Sequence, residues 1–338
     1  MDELRQLLSA RVAVLDGAWG TMLQAADLAP EDYRRGAPDD HPFDVTGDPD
    51  LLNVARPDLV LDVHRRYLAA GADITTTNTF TATRIGQADY GLQARVRELN
   101  LAGARLARQA ADEVGGRFVA GSVGPLNVTL SMPPRVDDPG YRAVGFDEVK
   151  DAYVEQIAAL AEGGVDIVLV ETIFDTLNAK AAIMAAREAA PDLPLWLSLT
   201  IVDRSGRTLS GQTAEAFLRS VEHAKPLVIG MNCALGAAEM RPYLTELAGL
   251  AGSYVAAYPN AGLPNAFGGY DQTPGEIAGL VGEFAAAGLV NIVGGCCGTT
   301  PDHIKHVAGN VSKLATREIP ERPVAMRLSG LEPFELVA

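Results

Sequence analysis

Three cysteines, Cys233, Cys296 and Cys297, are the residues of this 338-residue chain whose type and placement point most directly to chemistry. Cys233 follows the apolar run Val228-Ile229-Gly230-Met231-Asn232, and Cys296-Cys297 follow Asn291-Ile292-Val293-Gly294-Gly295. Both runs read as buried strands, so all three thiols stand just past strand C-termini. Three thiolates suit zinc, a borderline-soft ion that takes sulfur and nitrogen ligands in tetrahedral geometry. Three protein ligands leave a fourth position open, which marks a catalytic site rather than a structural one. A zinc dication with three thiolates carries one net negative charge. Such a centre is a weak Lewis acid, poorly suited to activating water and better suited to keeping an incoming thiol electron-rich. The competing reading is inert core cysteines, since free cysteine is among the most buried residue types. That reading fits a lone cysteine. It fits the pair in Gly294-Gly295-Cys296-Cys297-Gly298 less well, because flanking glycines point to unusual backbone.

Positioning thiols in this way requires a scaffold of strands and helices. The strand candidates are Val12–Asp16, Ile74–Asn78, Val119–Val123, Ile167–Glu171, Leu195–Ile201, Val228–Asn232, Val255–Pro259 and Asn291–Gly294. Helical periodicity covers Leu59–Ala70, Gln93–Val114, Asp147–Glu162, Asp175–Ala189, Thr213–His223, Glu239–Leu250, Pro274–Ala287 and Pro301–Leu314. Strand–helix alternation argues for parallel βαβ units. Eight such units are the number a (β/α)8 TIM barrel needs, and its C-terminal rim is where sites are built. A doubly wound open sheet shares the local pattern and is the alternative. Thr273-Pro274 and Thr300-Pro301 read as N-cap and first-turn proline pairs, and Asp147 as another helix start. Gln24–Asp58 reads as one long irregular loop of the kind that often covers a site.

Composition narrows the partners. Hydrophobic residues make up 48% of the chain, aromatics only 6%, and the formal net charge is −15. The acidic balance disfavours nucleic acid and anionic membranes. No apolar run approaches the ~18 residues of a spanning helix, and the first residues lack a basic, then apolar, leader pattern. The expectation is a cytoplasmic protein, in which three cysteines are not a disulfide framework.

Motifs along the chain resemble the homocysteine S-methyltransferase family, in particular the homocysteine-binding module of cobalamin-dependent methionine synthase. They are Asp16-Gly17-Ala18-Trp19-Gly20-Thr21-Met22, Leu51-Leu52-Asn53, Gly71-Ala72-Asp73 through Thr77-Asn78-Thr79-Phe80, and Gly121-Ser122-Val123-Gly124-Pro125. Glu171-Thr172-Ile173-Phe174-Asp175-Thr176, Asn232-Cys233-Ala234-Leu235-Gly236, Tyr258-Pro259-Asn260-Ala261-Gly262 and Gly294-Gly295-Cys296-Cys297-Gly298-Thr299 complete the set. The resemblance implies that Cys233, Cys296 and Cys297 ligate zinc, and that homocysteine sulfur takes the fourth position. It implies that Asp16 and Glu171, both at strand C-termini, meet the substrate ammonium. A charge closing an apolar strand, as Glu171 does, is costly without a partner. The substrate carboxylate would meet backbone N–H groups of the Gly20-Thr21-Met22 turn. The resemblance also implies that Asn260 fills the fourth metal position when substrate is absent; the alternative is a plain turn residue. Trp19 and Thr76 depart from the family's commoner residues, methionine or another apolar residue at the first position and glutamate at the second.

The implied reaction is methyl transfer to homocysteine, giving methionine. The donor would be methylcobalamin, recharged by methyltetrahydrofolate and carried by a separate corrinoid module or protein. Residues 1–316 then form the barrel, and 317–338 a strap or linker toward a folate-binding module not recognised in the chain. A self-contained enzyme using betaine or S-methylmethionine is the alternative donor reading. A non-catalytic amino-acid-binding barrel is the alternative of another class. The remaining histidines carry less. His64, His303 and His306 read as helix surface residues. Asp62-Val63-His64 lacks the glycine of a corrinoid-binding signature, Tyr67 standing in its place.

Overall fold

The computed structural model describes residues 2–202 and 205–336. In chain order the strands are β1 (Ala13–Val14), β2 (Ile74–Thr76), β3 (Phe118–Val123), β4 (Ile167–Ile173), β5 (Leu195–Leu199), β6 (Val228–Gly236), β7 (Tyr254–Asn260) and β8 (Ile292–Val293). A hairpin follows, β9 (Met326–Ser329) with β10 (Pro333–Leu336). The helices are α1 (Asp2–Ala10), α2 (Trp19–Gln24), α3 (Pro30–Arg34), α4 (Leu52–Ala55), α5 (Pro57–Ala69) and α6 (Val96–Val114). They continue as α7 (Phe146–Glu162), α8 (Thr176–Ala189), α9 (Ala214–Val221), α10 (Ala237–Leu250), α11 (Pro274–Ala286) and α12 (Pro301–Val311).

β1 to β8 are all parallel, in the order β1-β8-β7-β6-β5-β4-β3-β2. A parallel bridge from Leu15 to Ile74, with Asp16 N–H on the Ile74 carbonyl at 3.0 Å, joins the two ends. The sheet is therefore a (β/α)8 barrel, as expected, and the open-sheet alternative is excluded by that closure.

Side chains alternate across each strand, and the two faces have separate roles. Outward residues such as Val119, Val168, Leu197, Ile229 and Val255 pack under the helices. Inward residues Ala120, Ile167, Leu169, Trp196, Val228, Ala256 and Ile292 fill the barrel. α1, absent from the expected helices, supplies Leu4 and Leu8 to the same inner cluster. Continuing the inward register up the strands reaches Ser122, Glu171, Ser198, Asn232 and Tyr258, all buried. The barrel interior thus changes from apolar to polar toward the strand C-termini. Burying five polar groups there is costly unless each is hydrogen-bonded, and this layer becomes the floor of the candidate site.

Two helix starts behave as expected. Thr273 and Glu276 form a reciprocal capping box at α11. At α12, Thr300 N–H instead donates to His303 Nδ1 at 3.2 Å. α7 begins one residue before Asp147, with Gly145 as its cap. The stretch 24–58 is not one loop, since α3 and α4 interrupt it. Of the expected strap 317–338, residues 317–336 run back over the barrel, and residues 337–338 lie outside the described residues. Arg317 is buried, and its guanidinium donates to the carbonyl of Ala248 in the last turn of α10 and to those of Ala251 and Ser253 just past it. No described helix is long and apolar enough to cross a membrane.

Candidate active site

The three thiols come together. Their sulfur atoms lie within 4.8 Å of one another, and Cys233 Sγ is 3.8 Å from Cys297 Sγ. Zinc–sulfur bonds of ~2.3 Å at tetrahedral angles put two sulfurs ~3.8 Å apart. The donor set and its spacing therefore fit a tetrahedral metal ion. Cys233 sits in β6, with β7 between it and the cysteine pair that follows β8. Without metal, Cys297 is held well below the usual thiol range. The thiols of Cys233 and Cys296 are the main cause, and the Tyr270 hydroxyl adds to them. Cys296 is pushed up by the same sharing and by burial.

Local backbone explains why these cysteines can converge. Cys233 has φ +60° and Ala234 φ +56°, left-handed values that non-glycine residues rarely adopt. Register between β6 and β7 shifts between Asn232 and Gly236, a bulge that turns Cys233 toward the pair. At the pair, Cys296 N–H donates to the Pro259 carbonyl at 2.8 Å, and Cys297 N–H to Asn260 Oδ1 at 3.1 Å. A Cβ on Gly295 would stand 2.4 Å from Thr299 Oγ1, so the chain passes there only without a side chain. Gly298 has φ +82° and packs on Tyr270 in the same way.

Asn260 is therefore neither exposed nor a turn residue. It ends β7, is buried, and its side chain positions the Cys297 amide.

The two expected carboxylates are both buried at the rim. Asp16 accepts from Thr76 N–H at 2.7 Å, Thr75 Oγ1 at 2.9 Å and Thr76 Oγ1 at 3.1 Å. Glu171 accepts from Ser122 Oγ at 2.6 Å and Tyr258 OH at 3.3 Å. Neither has an ion-pair partner among the described residues. Burial pushes each up to about 7, the hydrogen bonds opposing it, and the charge of Glu171 raises Asp16 further. Cys297 likewise raises Glu171. Two uncompensated carboxylates beside a thiol cluster are an arrangement waiting for a cation.

The residues that depart from the family's commoner types have a place here. Trp19 Nε1–H donates to Thr76 Oγ1 at 3.1 Å, and Thr76 in turn donates to Asp16. His64 corrects the surface reading: it is fully buried, edge-on to Trp19, with Nδ1 2.8 Å from Thr75 Oγ1. Thr75 spends its proton on Asp16, so His64 Nδ1 carries the hydrogen of that bond. Burial pushes His64 down to about 3, so it is neutral. His303 is buried as well, and only His306 is exposed as expected. A signal for His64 was present, because it shares the α5 face of Val60, Val63 and Tyr67.

α2 begins at Trp19, so the N–H groups of Trp19, Gly20 and Thr21 have no acceptor within the helix. Met22 lies one residue too deep and is buried. Thr21 Oγ1 also accepts from Gly298 N–H at 3.0 Å, tying α2 to the cysteine loop.

A family model for homocysteine S-methyltransferases matches residues 13–311, which carry all eight barrel strands and every site residue described in this subsection. The chain belongs to the homocysteine S-methyltransferase family. Among solved structures it is similar to the homocysteine methyltransferase MmuM of Escherichia coli. The metallated form of that enzyme is 26% identical, with a TM-score of 0.72, and the match covers 91% of this chain and 99% of that one. Its oxidized form matches at 25% identity, a TM-score of 0.72 and the same coverage. As a family member the chain is a methyltransferase acting on homocysteine.

Asp16 yields a pH-dependent expectation for stability. Its folded-state pKa of about 7 lies above the ordinary carboxylate value of 3.8. Between these values the folded chain binds more protons than the unfolded chain, so this group's contribution falls as pH rises through 4 to 7 and is level above. Asp16→Asn lacks that term. Its melting temperature relative to wild type should climb across the same interval and then plateau, by an amount equivalent to a few kcal/mol, roughly. Any constant cost of the amide drops out of the slope. Thermal denaturation of metal-free protein at several pH values measures it, and a pH-independent difference would refute the assignment.

Proposed function

We propose that this homocysteine S-methyltransferase holds zinc on Cys233, Cys296 and Cys297 and forms methionine from homocysteine. The observation that carries the reading is the three-sulfur cluster beside two buried carboxylates that lack a cation. Bound zinc would supply a position where an incoming thiol loses its proton near neutral pH. The chain's own residues do the rest. Asp16 and Glu171 take the substrate ammonium. Ser122, Tyr258, Thr75 and Thr76 hold those carboxylates in place. The free N–H groups at the start of α2, including Gly20 and Thr21, meet the substrate carboxylate. Asn260 keeps the cysteine loop in register through Cys297 and is the candidate to approach the fourth metal position when substrate is absent. With both ends of the amino acid fixed, its sulfur faces a methyl donor arriving at the rim, which lowers the entropic cost of encounter. That sulfur attacks the methyl carbon in line, so that the S–C bond forms as the bond from the carbon to the donor breaks, and the donor leaves with the bonding pair.

For the donor we infer methylcobalamin on a separate corrinoid module or protein, supported by the motif resemblance to the methionine synthase branch. On that reading residues 1–316 are the catalytic barrel and 317–338 a strap. The second reading is a self-contained enzyme using betaine or S-methylmethionine. It is favoured by the match to 99% of the E. coli chain, which this barrel covers almost end to end. Purified protein loaded with zinc, given homocysteine and each donor in turn, separates them. Methionine from methylcobalamin is expected; methionine from betaine or S-methylmethionine alone would replace the first reading with the second.

A further inference from the structure

We propose that Asn232 is a positioning residue that sets the spacing between the Glu171 carboxylate and the Cys233 thiol, and thereby the length of amino-acid thiol that the site prefers. The proposal rests on the reading of Cys233 as a metal ligand and Glu171 as the partner of the substrate ammonium.

Thr172 follows Glu171 directly, and Asn232 directly precedes Cys233. The two residues belong to β4 and β6, which are not neighbours in the sheet because β5 runs between them. The side chain of Asn232 spans that gap. Its Oδ1 accepts from Thr172 N–H at 3.0 Å and from Ser198 Oγ of β5 at 2.7 Å. Its Nδ2 donates to Thr172 Oγ1 at 2.8 Å. One buried amide thus binds three strands at one level of the barrel.

At that same level both outer strands leave regular geometry. Register between β4 and β5 shifts between Val170 and Ile173, and between β6 and β7 it shifts between Asn232 and Gly236. Thr172 has φ +57°, Cys233 φ +60° and Ala234 φ +56°. Non-glycine residues persist in such conformations only where surrounding contacts over-determine them. The bonds of Asn232 are those contacts. They grip the strained residue after Glu171, and they come from the residue before the strained Cys233.

A ligand held by its ammonium at Glu171 and by its sulfur near Cys233 must span the distance between them. Homocysteine and cysteine differ there by one methylene. A site whose two ends are tied by a short, rigid amide discriminates between such lengths; one whose ends move independently does not.

The test measures zinc affinity by chelator competition, then binding of homocysteine and of cysteine to the zinc-loaded full-length chain. Asn232→Ala is expected to bind zinc about 10- to 100-fold more weakly, the usual effect of removing a support behind a metal ligand. Its preference for homocysteine over cysteine is expected to fall about tenfold, the effect of losing one fixed hydrogen-bonded support. Thr172→Val loses one of the three bonds and should fall between the two proteins. Thr172→Ser keeps the hydroxyl and should bind zinc close to wild type, a rescue that general destabilisation would not produce. Cobalt substitution adds a spectroscopic reading, since thiolate-to-cobalt absorption reports whether Cys233 still coordinates. If folded Asn232→Ala or Thr172→Val keeps both zinc affinity and the homocysteine preference, the proposal is wrong while the site reading stands. If wild type takes up no zinc, the site reading fails first and the proposal with it.

Discussion

Changing Cys296 to alanine should leave a folded chain that carries almost no zinc and has lost more than ~10³-fold of its methyl-transfer activity, the order seen when a group that acts as part of a unit is removed. The expectation follows from the cluster's closeness. Three sulfurs within 4.8 Å can share one ion, and with Cys296 gone only two candidate ligands remain. Two thiolates and solvent do not reproduce the tetrahedral site, and a metal so held is lost to competing chelators. The fold should survive, because Cys296 packs only at the edge of the barrel's inner cluster and alanine is tolerated beside glycine-rich backbone. Cys233→Ala and Cys297→Ala should behave alike. Metal analysis of the dialysed proteins, with melting temperature as the control for folding, gives the answer. A full equivalent of zinc retained in any of the three variants would end the three-thiolate assignment.

The second large effect belongs to Glu171. Glu171→Gln should lower kcat/KM for homocysteine by ~10²–10³-fold, because leaving one charge of a buried pair without its partner costs about 3–5 kcal/mol. The loss should fall mainly on KM, with zinc content unchanged, since the carboxylate touches hydroxyls and not the sulfurs. Wild type should itself lose homocysteine affinity as pH drops through about 7, where Asp16 and Glu171 take up protons in the substrate-free protein. The charged form of each carboxylate is the one that pairs with ammonium, so acid weakens binding. In Glu171→Gln only Asp16 remains to titrate, and the acid limb should be shallower. Initial rates across pH 5.5 to 9 measure both. An unchanged KM, or an acid limb as steep as that of wild type, would remove Glu171 from the substrate site.

Much of this protein was legible in its sequence, and for physical reasons. Apolar β-branched runs separated by alanine-rich helical periods bury their faces as repeated βαβ units, and eight of them are the number a barrel needs, though only the Leu15–Ile74 bridge decided between a barrel and an open sheet. Thiols near strand C-termini must then crowd one rim, so the meeting of Cys233 with Cys296 and Cys297 followed from chain order, although Cys233 lies within β6 and not past its end as expected. The carboxylates Asp16 and Glu171 were visible at predicted strand ends, Glu171 also because a charge closing an apolar run needs a partner, and the resemblance implied their role. α1 was less legible, because its short amphipathic stripe of Leu4 and Leu8 does not reveal what it covers.

What the sequence could not decide depended on contacts between residues far apart in the chain. His64 sits on the apolar face of a surface-like helix, and only the packing of α5 on β2 brings its ring to Thr75 and Trp19. Asn260 had an open role until β7 placed it under the Cys297 amide. The grip of Asn232 on Thr172 joins residues 60 positions apart across an intervening strand. Periodicity reports which face of an element is buried, because that depends on local geometry and hydrophobicity. It does not report which buried polar group meets which, because those pairings exist only after the barrel has closed.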